Sequence, residues 1–338
     1  MYGVIAKMAS PPAPLTEEEK EHFRQRGFIH LRNCFTREQS QSITKDVWVR
    51  LGIDPSDKAT WFSGKQNMPN LNSFSAADFA PKAWAAICEL CGGEDRINTA
   101  SREWRDGLIV NLGSPENEGK EIAPRDLDNW HVDGDFFVHY LDSPEQALLV
   151  IPLYSDIVPG GGGTMICPEA IPKVARHLHE HPEGLSPRMM PRTHEDFRRE
   201  TDLGWFREVA QSCSDFVEVT GECGDVFLLH PLMLHSATPN PLRRIRIITN
   251  PPVSLKEPFE LSRPDGQYSL VEQTTLRALG KEATGLGGWA ITAPRERIVP
   301  ERMKVVNRMR EEELKRLEQA QKAQQKAQEG QQKAAVAA

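Results

Sequence analysis

No stretch of the 338 residues approaches the roughly 18 consecutive apolar positions that a membrane-spanning helix needs. Nothing is therefore expected to cross a bilayer. A basic excess is missing too. The formal net charge is −7, with acidic and basic residues interspersed, which argues against a nucleic-acid surface of clustered Lys and Arg. The first residues lack a charged segment followed by an apolar core, so no secretory signal is expected. Met8 offers an alternative start. Of the six cysteines, only Cys88 and Cys91 form a Cys-x-x-Cys, and no second close pair completes a zinc site. Buried, reduced thiols in an intracellular, cytoplasmic protein are expected instead. The glycine run before Thr164 lacks the Lys-Ser/Thr ending of a phosphate loop. There is no internal repeat.

The informative stretch is Asn129-Trp130-His131-Val132-Asp133-Gly134-Asp135. On extended backbone, residues two apart share a face, so His131 and Asp133 can reach one metal ion together. A third ligand must come from elsewhere. The apolar, strand-like run from Gly224 to His235 carries two histidines, His230 and His235. They are five positions apart, so regular extended backbone turns them to opposite sides. Either one with His131 and Asp133 makes the two-histidine, one-carboxylate set of non-haem Fe(II) oxygenases, which leaves positions open for substrate and oxygen. A satisfied core histidine is the plainer reading of His131 taken alone. Beyond a Pro-Asn-Pro turn, Arg246 lies in a β-branched run of the kind that fills buried strands. A buried Arg needs a fixed anion, and its planar fork suits a carboxylate.

Together these residues resemble the phytanoyl-CoA dioxygenase family of Fe(II)/2-oxoglutarate oxygenases. Three segments carry the resemblance: Leu15 to Leu31; His131-Val132-Asp133 with Gly161 to Pro168; and Gly224-Asp225, His230-Pro231, His235 and Arg246. In that family the arginine follows the distal histidine by eleven positions, which favours His235 over His230. The resemblance implies Fe(II) held by His131, Asp133 and His235, and 2-oxoglutarate held by Arg246. It implies O2 and a small organic substrate as partners, with release of succinate and CO2. Hydroxylation is the default outcome, with desaturation, cyclisation and epoxidation as variants. Asp133 speaks against a halogenase, in which a small residue stands at that position. One departure is visible: a serine often found two positions after the distal histidine is Ala237 here, flanked by Ser236 and Thr238. Ser236 and Asn111 are further candidates for contact with 2-oxoglutarate. A non-oxygenase β-barrel binding protein, or a cupin-type metal hydrolase or isomerase, is the alternative reading. Monomer and homodimer both stay open.

The expected fold is mainly β with flanking α: many short strands with Gly/Pro turns forming a double-stranded β-helix, a cupin-like jelly roll, with N-terminal helices. Residues 1–14 read as a flexible tail and 15–305 as the catalytic domain. Thr16 with Glu19 makes a capping-box pattern that starts a helix, and Gly27 ends it. Another helix is expected from Thr36 towards Gly52, and another over Lys82 to Cys91. Residues 53–80 read as an irregular loop, with a lip over the site as the sharper alternative. Phe136 to Leu141 reads as a strand or edge, and the apolar run Ala147 to Tyr154 as a central strand. The charged stretch 180–212 has Arg188, Arg192, Arg198, Arg199 and Arg207 against Glu183, Glu195, Asp196, Glu200 and Asp202. It reads as a solvated helical insertion, or alternatively a lid. Residues 306–338 are rich in Ala, Gln and Lys and read as a helical or disordered tail.

Overall fold

The computed structural model describes residues 15–62, 64–198, 203–300 and 302–337. The expected 1–14 tail, and Arg199, Glu200 and Asp202 of the charged insertion, lie outside the described residues. The chain opens with α1 (Glu17–Arg26). Thr16 and Glu19 close a reciprocal capping box, and Gly27 caps the other end at φ 67° with its N–H on the Phe23 carbonyl. A side chain at Gly27 would meet Ile171. β1 (Phe28–Leu31) follows directly. The helix from Thr36 breaks into α2 (Arg37–Thr44) and α3 (Val47–Leu51).

Residues 53–80 depart from the irregular loop expected. They hold β2 (Gly64–Asn67), β3 (Ser73–Ser75) and α4 (Ala76–Phe79). Then come α5 (Pro81–Cys91), β4 (Glu103–Arg105), β5 (Ile109–Gly113), β6 (Leu148–Pro152), β7 (Thr164–Cys167) and α6 (Ile171–Glu180). The remainder is α7 (Gly204–Gln211), β8 (Val217–Glu218), β9 (Val226–Leu229), β10 (Leu234–Ala237), β11 (Arg246–Ile248), β12 (Pro252–Val253), α8 (Leu270–Ala278) and α9 (Arg302–Ala337).

Three antiparallel sheets carry the architecture: β1-β9-β6-β12, β10-β7-β8 and β11-β5-β2, with β3-β4 as a separate pair. A bridge between Leu153 and Ile248 joins the first sheet to the third. The strands alternate between two cores, as a period of two requires. Leu148 and Val150 of β6, and Val226 and Leu228 of β9, pack into one core with Phe23, Trp84 and Ile87 of the helices. Leu149, Ile151, Phe227 and Leu229 face the second core with Trp130, Ile166 and Val174. β6 is buried at every position and has a strand on each side, so it is a central strand covered on both faces.

The mainly-β expectation needs correction: the chain is mixed α and β. Its strands are two to five residues long, while α9 alone has 36 residues. Phe136 to Leu141 is not a strand. Among the described residues its ladder pairing is limited to isolated bridges, Phe137 to Arg297 and His139 to Leu185, because neither neighbour supplies a continuous edge. The 180–212 insertion is not simply a solvated helix either. Leu185, Met189, Phe206 and Ala210 are buried in the second core, so its charged composition masks an apolar underside. No helix among the described residues is long and apolar enough to cross a membrane. The cysteines are free, and burial pushes the Cys88 thiol up to about 11.

α9 begins beside the Asp133 loop and is anchored midway. Glu313 is buried against Arg50 of α3 at 2.8 Å, and Arg50 also meets Asp106 at 3.1 Å and the Pro69 carbonyl at 2.6 Å. Burial raises the pKa of Glu313, with Arg50 opposing. From residue 321 to 332 every position of the helix is exposed.

Candidate metal centre and anion pocket

Local backbone sets the geometry of the cluster. His131 and His235 exchange both backbone hydrogen bonds, at 3.0 and 2.9 Å. They therefore sit directly opposite each other in a narrow antiparallel pair. Their rings lie 4.3 Å apart between centroids. Trp130 and Val132 turn the other way into the second core, so the alternation that buries them presents His131 and Asp133. Asp133 Oδ1 is 3.7 Å from His131 Nε2 and 3.5 Å from His235 Nε2. Ligand atoms of these three residues all lie within 4.8 Å of one another, and they form the one such group among the described residues.

Both imidazoles are oriented the same way. His131 donates its Nδ1–H to the Asn129 carbonyl at 2.8 Å, and His235 donates its own to the Met233 carbonyl at 3.0 Å. Each carbonyl belongs to the residue two positions back. Tying up Nδ1–H fixes the tautomer and leaves Nε2 with a lone pair facing the shared point. Burial pushes the His131 pKa down to about 4, with His235 adding to it. Burial opposes the charge on Asp133, yet His235, His131 and the Asn250 amide hold its carboxyl well below the usual carboxylate range. A divalent cation needs its carboxylate ligand ionised and a lone pair on each ligating imidazole nitrogen.

The sheet β11-β5-β2 forms the adjoining wall. Arg246 pairs with Asn111 across β11 and β5, and Lys65 pairs with Asn111 across β2 and β5. Directly paired residues share a face, so the three line up in one row. Arg246 is 1% exposed. Its Nη2 donates to Thr164 Oγ1 at 3.2 Å, while Nε and Nη1 are buried without a hydrogen-bond partner. Burial pushes its pKa down to about 10, against a favourable pull from Glu218. A guanidinium this buried and this poorly satisfied is costly without an anionic partner.

Thr164 and Lys65 were not anticipated in the sequence. Thr164 sits directly across from Ala237 in the β7–β10 pairing. It therefore places a hydroxyl on the His235 face of the sheet, where Ala237 has none. Lys65 keeps solvent-accessible surface. Crowding by the protein and the charge of Arg246 push its ammonium pKa down, with Asp133 pulling the other way. Asn111 is buried and already engaged, its amide donating to the Thr238 carbonyl and its oxygen accepting from Gly113 N–H. Ser236 follows His235 on the strand, so alternation turns it to the opposite face. Its hydroxyl donates to the Ala237 carbonyl at 3.2 Å. His230 stands apart, fully buried, with Nε2 on Thr275 Oγ1 and the Val271 carbonyl.

No protein-family profile matches the chain, and no curated protein matches it in sequence. Solved structures do share features of its shape. One is the non-heme alpha ketoglutarate-dependent carbocyclase SnoK from nogalamycin biosynthesis, at 17% identity and TM-score 0.40, covering 71% of this chain and 84% of that one. Another is HygX from Streptomyces hygroscopicus with nickel and 2-oxoglutarate bound, at 15% identity and TM-score 0.42, covering 74% and 91%. A third is the hypothetical protein JW0805 from Escherichia coli, at 14% identity and TM-score 0.44, covering 72% of each chain. All three superpositions are partial.

Proposed function

We propose that this chain is an Fe(II)- and 2-oxoglutarate-dependent oxygenase that oxidises an unactivated C–H bond of a small organic molecule. The observation that carries this reading is the pairing of a three-ligand cluster with a fully buried, under-satisfied Arg246. Two imidazoles and one carboxylate suit Fe(II) and leave coordination positions open. A closed structural zinc site would need a fourth protein ligand. A dicarboxylic co-substrate would give the guanidinium the anion it lacks. The double-stranded β-helix and the phytanoyl-CoA dioxygenase family are the fold and family this reading implies. Six free thiols suit a cytoplasmic setting. Residues 15–305 form the catalytic domain in this reading.

His131, Asp133 and His235 would hold the iron, and Arg246 would hold the distal carboxylate of 2-oxoglutarate. When bound, the two together supply oxygen activation, with 2-oxoglutarate ending as succinate and CO2. The protein's own share is orientation. The Asn129 and Met233 carbonyls keep each Nε2 unprotonated and aimed. The Arg246 fork fixes the co-substrate through charge-assisted bonds, and Thr164 adds a hydroxyl beside it. Lys65, at the end of the same row, adds a positive charge that draws a dianion inward. Hydroxylation is the outcome proposed, because these residues need do no more than hold substrate close and exclude water.

Succinate formation tests this reading. The full chain, given Fe(II), ascorbate, 2-oxoglutarate and a library of small organic acids, amines and terpenoids, should release succinate above a protein-free control. Arg246→Ala should abolish the release. Failure of the protein to bind 2-oxoglutarate by calorimetry in the presence of a divalent metal would sink the proposal.

A further inference from the structure

We propose that Arg302 is a positioning residue for the metal loop, and that the first half of α9 is the arm that carries it there. This rests on the reading of His131, Asp133 and His235 as metal ligands.

Asp133 is the least supported of the three. Each histidine is braced by a short bond to a carbonyl, whereas from outside the cluster, among the described residues, the Asp133 carboxylate receives the Asn250 amide alone, at 3.4 Å. Its placement must come from the loop that follows. That loop is pinned at two successive residues. His139 donates to the Gly134 carbonyl at 2.8 Å. Gly134 has φ 120°, and an added Cβ would lie 2.5 Å from Phe137 and 2.7 Å from His139, so no other residue fits without strain. At Asp135, Arg302 closes a two-pronged ion pair, Nε to Oδ2 at 2.5 Å and Nη2 to Oδ1 at 2.8 Å. A fork-to-fork pair fixes direction as well as distance. The backbone beside it is also tied to the C-terminal segment, through Val138 N–H to the Glu296 carbonyl and Ile298 N–H to the Phe136 carbonyl.

Arg302 is in turn held from a distance. It opens α9, and Glu313 lies eleven residues, three turns, further along, which is about 16 Å of helix. Both fall on one stripe with Val306, Met309 and Arg316, and Val306, Met309, Glu313 and Arg316 are all sheltered. Glu313 locks into Arg50, and Arg316 donates to the Arg50 carbonyl. The helix thus reaches from a buried anchor on α3 to the residue two beyond Asp133. From residue 321 to 332 every position is exposed. A half-exposed ion pair contributes little to overall stability, so placement is what Arg302 offers.

The test uses the full chain and Co(II) as the probe, titrated by calorimetry. Outer-shell partners of metal ligands are typically worth about 10–100-fold in affinity. Arg302→Ala should raise the Co(II) Kd by about that factor while leaving the metal-free melting temperature unchanged. Asp135→Asn should do the same and serves if the first variant misfolds. Arg302→Lys should recover part of the loss, and the swapped pair Arg302→Asp with Asp135→Arg should recover more than either change alone. A chain ending at Ala320 should bind like the full chain. An unchanged Kd in both Arg302→Ala and Asp135→Asn, with His235→Ala abolishing binding, would overturn the inference and leave the metal reading standing. No Co(II) binding by the unaltered chain would overturn both.

Discussion

His230 and His235 stand five residues apart, and the fold uses them in opposite ways. The His230 ring is fully buried, and both of its nitrogens are occupied: Nε2 by Thr275 and the Val271 carbonyl, Nδ1 by the Leu232 N–H at 3.2 Å. Nothing is left to offer a ligand. Burial pushes its pKa down to about 3. His235 spends only Nδ1, on the Met233 carbonyl, and turns Nε2 towards Asp133. What separates the two histidines here is the count of ring nitrogens already paired. Degree of burial does not separate them, since His235 is itself only 6% exposed.

The largest expected effect tests that distinction directly. His235→Ala should abolish metal binding and lower turnover by well over the roughly 100-fold that outer-shell losses reach. His230→Ala should bind metal normally but lose about 1–3 kcal/mol of stability, because it strands buried partners on α8. Metal titration and denaturant unfolding of both variants check this, and the reverse pattern would mean the roles had been exchanged. Asp133→Ala should fold and fail to turn over. Next in size is Arg246→Lys. Losing the fork should raise the 2-oxoglutarate constant about ten- to a hundredfold, at about 1.4 kcal/mol per decade, with the substrate constant moving far less. Thr164→Val should be smaller, about three- to tenfold on the same constant, as one neutral hydrogen bond is worth about 0.5–1.5 kcal/mol. Ser236→Ala should leave it unmoved, and a larger effect from Ser236 than from Thr164 would refute the assignment of faces.

The smallest effect concerns pH. His230 titrates near 3 when folded, and His139 near 4, both through burial. An unfolded histidine titrates near 6.5. Between these values the unfolded chain binds more protons, so stability rises with pH across that window and falls as pH drops from about 6.5 towards 3. His230→Gln should flatten the fall. An equally steep loss of stability in that variant would assign the slope to other groups.

The clustering of His131 and Asp133 was legible because one local rule, alternation along extended backbone, placed them on one face. Arg246 was legible because a charge in a β-branched run demands a partner. α1 and its capping box could be read residue by residue, since Thr16, Glu19 and Gly27 act locally. Thr164 could not. Its place beside Arg246 depends on β7 meeting β10 in the register that puts Thr164 opposite Ala237, a fact of pairing that no single segment contains. Lys65 was hidden because Gly-Lys-Gln-Asn has none of the β-branched or aromatic residues that mark a strand, and β2 lies at the edge of its sheet. Its one clue was the alternation of half-buried and exposed positions, which appears only once the chain is folded. Phe136 to Leu141 misled in the other direction: five apolar or aromatic residues with a histidine looked like a strand, yet they serve as packing between separate segments.

The ion pair between Arg50 and Glu313 also has a consequence for how the protein is made. Its partners are 263 positions apart. At ~5–20 residues per second of synthesis, a ribosome needs ~13–50 s to deliver the carboxylate after the guanidinium. Through that interval Arg50 has Asp106 and the Pro69 carbonyl but not its second acid, and α3 has no helix laid against it. β1 waits in the same way for β9. The nascent chain must stay soluble with a charged notch and an unpaired strand open until α9 fills the notch.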